Sequence, residues 1–397
     1  MLKRFLLFVS LILSCSHSLA NSQFSYEIVD GGISITGCLR CHHVEWDDVV
    51  IPEYIDGYAV VGISSYAFGG KAIRSITFPN TLKTIGDYIF SKRYSSSSGW
   101  PSKISNLVIP DSVTSIGMYA FRGLKIEYLT LGEGLLTIGR YAFDSNKISV
   151  LEIPDSLVSV DYQAFSNNDI KSLLIGNGLT TIGSSAFSNN KLTSLSLAST
   201  NVTSIGNGAF SSNELSSVYV GTVGTVLTSI GSSAFSRNRI TFLYIPDGIV
   251  NIGSYAFSEN RINNLRLPDS LINIGTGAFQ YNMLTSVHLP KNLEIIEWVA
   301  FHNNQISRLK IPDSVKSIGQ RAFYNNQLIN ITIPAELDFI GSAAFQNNKI
   351  SNIKFLGNVI SGGFHSVQDF DFLTLVTYCS ENEGWYKGDL YGIPNIA

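Results

Sequence analysis

Five residues near the start of the chain, Cys38-Leu39-Arg40-Cys41-His42, carry the most reactive side chains it has. The C-x-x-C-H spacing is the one by which two thiols add to a haem while the adjacent imidazole ligates its iron. The same cysteines with His42 or His43 and Glu45 could instead crowd one zinc ion. Haem needs a deep apolar pocket and usually a second axial ligand, and a terminal segment of about 40 residues supplies neither. Adjacent histidines rarely complete a zinc tetrahedron without a second ligand pair from elsewhere. The reading favoured is a Cys38–Cys41 disulfide tying a tight turn in an oxidising compartment, with no cofactor. A second candidate is the row Asp111, Asp155, Asp247, Asp269 and Asp313, each directly after a proline. Carboxylates in a row suggest calcium, but Lys291 and Ala335 interrupt the column, so these aspartates are expected to cap turns. No nucleophile–base set, phosphate loop or carboxylate pair stands outside repeated positions, and a non-enzymatic protein is expected.

The third candidate is a recurring position rather than a cluster. It reads Thr77, Val108, Thr130, Glu152, Leu174, Ser196, Tyr219, Tyr244, Arg266, His288, Lys310, Thr332, Lys354, neutral or acidic first, then aromatic and basic. A neighbouring position adds Phe242 and Arg308. If these residues sit on registered strands about 4.8 Å apart, Arg266, Lys310 and Lys354 recur at roughly 10 Å, about one Debye length. Aromatic anchors beside arginine are the composition of binding hot spots. Such a stripe would take an extracellular protein or an anionic polysaccharide; the alternative is the ordinary dressing of an exposed sheet.

What positions that column is a repeat. Phenylalanine returns thirteen times from Phe68 to Phe345, and ten of the twelve spacings are 22 or 23 residues. A fixed period of that size marks stacked supersecondary units. One unit reads I-x-x-L-x-I-P-D-S-L-x-x-I-G-x-x-A-F-x-x-N-x, seen in Ile262, Leu265, Leu267, Pro268, Asp269, Leu271, Ile274, Gly275, Ala278, Phe279 and Asn282. The L-x-L pair before proline reads as a short parallel strand, which proline ends because it has no N–H for a ladder. Apolar spacings of three to four after the turn predict a helical or 3₁₀ outer segment. An asparagine column from Asn146 to Asn348, three residues after each Phe, can donate to and accept from the backbone of the neighbouring coil. One such unit buries too little apolar surface to stand alone, so stability must come from stacking.

This pattern resembles the BspA-type leucine-rich repeat family, whose signature is I-P-x-S-V-x-x-I-G-x-x-A-F, over residues 61–357. The resemblance implies an α/β repeat: a right-handed, curved solenoid with a parallel sheet on its concave side and short helical or 3₁₀ outer segments. It also implies an exported protein associated with adhesion or matrix contact.

Residues 1–20 carry Lys3 and Arg4, the apolar run Phe5–Leu13 and the close Ser18-Leu19-Ala20, the order of a secretory signal peptide. Ile12-Leu13-Ser14-Cys15 partly resembles a lipobox, so lipid anchorage at Cys15 stays open beside cleavage after Ala20. No later run is long enough for a membrane helix, and a net charge of −3 argues against general nucleic-acid binding. Residues 21–60 are expected to cap the first coil, and 358–397 to form a closing cap and tail. Cys379, at the far end of thirteen rungs and so about 60 Å away, is beyond disulfide reach of the first cap. Two insertions interrupt the period: a Ser-rich loop from Ser91 to Lys103, bearing Tyr94 and Trp100 as a candidate contact loop, and three residues near Val223–Val226. The rival readings are a matrix component offering only shape and self-association, and a metal or haem function on the first cap.

Overall fold

A computed structural model describes residues 23–41, 46–91, 102–198, 200–221, 226–357 and 375–378, the last four by their backbone. The chain winds as a β-solenoid in which each repeat contributes two short strands, stacked in parallel on those of its neighbours. The first run starts at Tyr58–Ile63 and passes through two-residue strands such as Thr137–Ile138 and Ser159–Val160. It closes at Phe339–Ile340, thirteen rungs in unbroken order within a 16-stranded sheet. Thr137 faces Ser159 and Ile138 faces Val160, so small polar residues stack outside and β-branched ones inside. A slip of one residue would put the whole Ile/Val column in water, which holds the register. At the amino-terminal end Phe24–Val29 pairs antiparallel with Gly32–Cys38, which itself pairs parallel with Tyr58–Ile63.

The L-x-L strands form the second run, and it is not continuous. One sheet of four strands joins Ser194–Ser196, Ser217–Tyr219, Phe242–Tyr244 and Asn264–Arg266, and the others hold two or three. From Asn106 onward this ladder breaks after Thr130, Ile175, Arg266 and Lys310. The inward side chains just before the breaks, Leu129, Leu173, Leu265 and Leu309, are only partly buried, while Leu107, Leu151, Leu195 and Leu243 on intact rungs are sealed.

The expected helical outer segments are absent: no helix occurs among the described residues. The reason lies in the arc around each Phe. Tyr141 (φ 57°) and Ser145 (φ 59°) are left-handed, as are Gln163 and Asn167 one turn on, and a left-handed residue cannot propagate a right-handed helix. Alternate N–H groups of the arc leave the coil: Tyr141, Phe143 and Ser145 donate to the carbonyls of Tyr162, Ala164 and Ser166 at 3.0, 2.8 and 3.0 Å. Ala142 and Asp144 donate three residues back, to Gly139 and Tyr141. The apolar spacing of three to four comes from inward residues at successive corners, such as Leu157, Val160 and Ala164, all buried.

Two columns run the length of the core. The rings from Phe68 to Phe345 form one stack with centroid spacings of 5.1 to 6.0 Å, mostly near parallel, as in Phe143–Phe165 at 5.1 Å and 3°. Each asparagine of the second column fastens two coils. Asn260 Nδ2 donates to the carbonyls of Phe235 (2.9 Å), Phe257 (3.2 Å) and Ser258 (3.2 Å), and its Oδ1 accepts from the Ile240 N–H at 3.1 Å. The amide satisfies the two Phe carbonyls and the Ile240 N–H, which no ladder reaches. The first insertion leaves the ring stack intact, with Phe90 and Phe121 6.0 Å apart. Its returning end is held by Ser102, whose hydroxyl donates to the Lys71 carbonyl (2.7 Å) and accepts from the Ile73 N–H (3.1 Å).

Candidate ligand-binding face

Strand alternation turns every second residue of the L-x-L run outward. The sequence column from Tyr219 to Lys354 is accordingly on the surface: Tyr219, Arg266, His288, Lys310 and Lys354 are exposed, and Tyr244 is half-buried. Tyr244 faces Arg266, His288 faces Lys310, and Thr332 faces Lys354. Phe242 and Arg308 stand exposed one position over, Phe242 facing Asn264 and Arg308 facing Ser286. The Arg266 guanidinium lies 5.5 Å from the Tyr244 ring centre, near enough for cation–π attraction. Arg266, Arg308, Lys310 and Lys354 have no carboxylate partner among the described residues. Three cations in the turns before strands do: Lys147 meets Glu127 at 3.7 Å, Lys191 meets Asp169 at 2.5 Å, and Arg239 meets Glu214 at 2.9 Å, while Lys125, Arg261 and Lys349 at the same turn position form no ion pair among the described residues. The stripe is therefore charge held open, whereas Lys147, Lys191 and Arg239 are charge already neutralised.

The other candidates resolve differently. Cys38 and Cys41 are joined in a disulfide with Cα atoms 5.5 Å apart, both buried, so neither sulfur is free to hold a metal or a haem. His42, His43, Glu45, Tyr94, Trp100, Cys15, Cys379 and the segment 1–20 lie outside the described residues. Two of the aspartates after proline serve turns. Asp111 Oδ1 accepts the Glu133 N–H (3.0 Å) and Asp155 Oδ1 that of Asn177 (2.7 Å). Asp269 pairs with Lys291 at 3.0 Å, whose ammonium holds its carboxyl below the usual range. No helix among the described residues is long and apolar enough to cross a membrane.

Compared with known families, the chain matches the BspA type leucine-rich repeat region in 6 copies, over residues 49–104, 95–216, 137–262 and 250–369. The chain belongs to this family. Among curated proteins, none matches it. Solved structures of similar fold include a leucine-rich repeat protein from Bacteroides ovatus, 20% identical, covering 91% of this chain and 91% of that one with a TM-score of 0.58. Another is the pneumococcal vaccine antigen PcpA, 20% identical over 89% of this chain and 97% of that one, TM-score 0.51.

One surface feature of this BspA-type array escaped the sequence reading. Tyr66, Tyr88, Tyr119 and Tyr141 sit two residues before consecutive phenylalanines, all left-handed, and their rings stack at 5.3, 4.7 and 4.5 Å. Tyr162 ends the row edge-on, 5.2 Å from Tyr141. Burial pushes the Tyr141 hydroxyl up to about 12, helped by hydrogen bonding with Tyr162. Arg122 covers the Tyr119 and Tyr141 rings while donating to Asp144 at 2.7 Å. Burial alone would raise the Asp144 carboxyl, but hydrogen bonds from Ser166, Asn167, Arg122 and Ser145 outweigh it and hold the group below its usual range. The ring faces are used against one another, so this ladder stiffens the edge and offers no open aromatic platform. The recurrent tyrosine two places before Phe was the signal that could have revealed it.

Proposed function

We propose that this is an exported or cell-surface leucine-rich repeat protein, non-enzymatic and adhesion-like. In this reading its concave face binds an extracellular protein or anionic polysaccharide through Tyr219, Phe242, Tyr244, Arg266, His288, Arg308, Lys310 and Lys354. Export rests on the signal-like residues 1–20, with Cys15 the alternative point of attachment. The observation that carries the binding reading is the set of exposed cations on registered rungs without carboxylates, beside exposed aromatics. Desolvating such cations against an anionic partner gains charge pairing that an already paired lysine cannot offer.

The test is a glycan and matrix-protein array followed by variants. With the best anionic hit, Arg266→Glu with Lys310→Glu is expected to weaken binding at least about tenfold at low salt, and by less as salt is raised. The control pair Lys147→Glu with Lys191→Glu should change it little. Equal losses from both pairs, or a loss independent of salt, would reduce the stripe to sheet dressing and favour the structural rival.

A further inference from the structure

Four rungs before the stripe begins, the same run of strands opens into a groove of opposite character. Its volume is about 800 Å³, and it lies across the break between Tyr128–Thr130 and Val150–Ile153. Tyr128, Val150 and Leu174, on three successive rungs, are 67%, 55% and 64% exposed and line it. Soluble surfaces scatter such residues singly; three together in one concavity form a patch. The rim is acidic. Glu127 is taken up by Lys147, but Glu133 and Glu152 have no cationic partner among the described residues.

The break adds a second kind of vacancy. On intact rungs the backbone is bonded across, as where Lys171 N–H reaches the Ser149 carbonyl at 2.9 Å. Among the described residues no backbone hydrogen bond joins Tyr128–Thr130 to Val150–Ile153, and Leu129 beneath is partly uncovered. A site that combines unbonded backbone edges, an apolar floor and free carboxylates suits a polypeptide better than a sugar. An extended chain brings its own N–H and C=O groups and alternates its side chains at about 3.3 Å per residue.

We propose that this groove docks an extended, basic polypeptide segment in which lysine or arginine alternates with bulky apolar residues. The cations would meet Glu133 and Glu152 while the apolar side chains cover Tyr128, Val150 and Leu174. This site is independent of the stripe, and its partner carries the opposite charge.

A labelled synthetic peptide, Lys-Leu-Lys-Val-Lys-Leu-Lys, titrated against the full chain by fluorescence anisotropy, tests it. Glu152→Lys and Leu174→Ser are each expected to weaken binding about tenfold. Both side chains are exposed, so unchanged melting curves should accompany the loss. Arg266→Glu with Lys310→Glu should not weaken this binding, which separates the test from that of the stripe. Three results overturn the proposal: no saturable binding, equal binding of a Lys-Ser peptide of the same length, or equal binding by the Leu174→Ser protein. Sedimentation showing a self-association abolished by the same two variants would assign the groove to a second copy and also overturn it.

Discussion

Replacing Phe257 by Ala is expected to lower the stability of the solenoid by about 3–5 kcal/mol, the cost of removing a large side chain from a core that cannot collapse around the gap. Phe257 is 0% exposed and lies between Phe235 at 5.3 Å and Phe279 at 5.6 Å, with ring planes within 4°. The coils on either side are fixed in spacing by their backbone ladders, so neither neighbour can move in to fill the hole. Phe257→Leu keeps part of the volume and should cost less. Urea unfolding followed by circular dichroism reads the difference, and a loss under about 1 kcal/mol would mean that the ring stack is incidental to stability.

The asparagine column should respond as well, by a smaller amount and for a different reason. Asn260→Ala removes little apolar contact but strips the partner from the buried Ile240 N–H, while the Phe235 carbonyl keeps the Asn238 amide at 3.1 Å. Leaving a buried donor unmet costs about 1–3 kcal/mol, and a loss of that size is expected. Asn260→Leu tests the origin of the loss, because it restores side-chain volume and leaves the same N–H unpaired. If the leucine variant regained parental stability, cavity formation rather than unmet hydrogen bonding would be responsible.

These columns were legible in the sequence because each has one task repeated at one spacing: a ring for the axis, an amide for the corner. The L-x-L strands were legible for the same reason, since proline marks their ends. The outer segment was misread because inward residues at the corners of a coil recur every three to four positions, the spacing of a helix face. Leu157, Val160 and Ala164 satisfy both descriptions, and only the left-handed residues at Tyr141 and Ser145 decide between them. Handedness of that kind is weakly encoded, for the position holds Tyr, Gln, Ser, Gly, Val, Arg or Ala in different coils. The candidate face was half legible. Its residue types and register could be read directly, but the ion pairs that neutralise Lys147 and Lys191 and spare Lys310 depend on which acid occupies the adjoining turn of the preceding coil. The breaks in the second ladder have no counterpart in any residue column.

The pinned return at Ser102 has a consequence for how such a molecule can be altered. Phe90 and Phe121 remain neighbours in the ring stack although the chain between them is nine residues longer than the period requires. Sequence length at that corner is therefore uncoupled from the geometry of the scaffold. Entry and exit belong to adjacent rungs, so a foreign peptide or small domain with close termini, grafted there, would be displayed without stretching any coil.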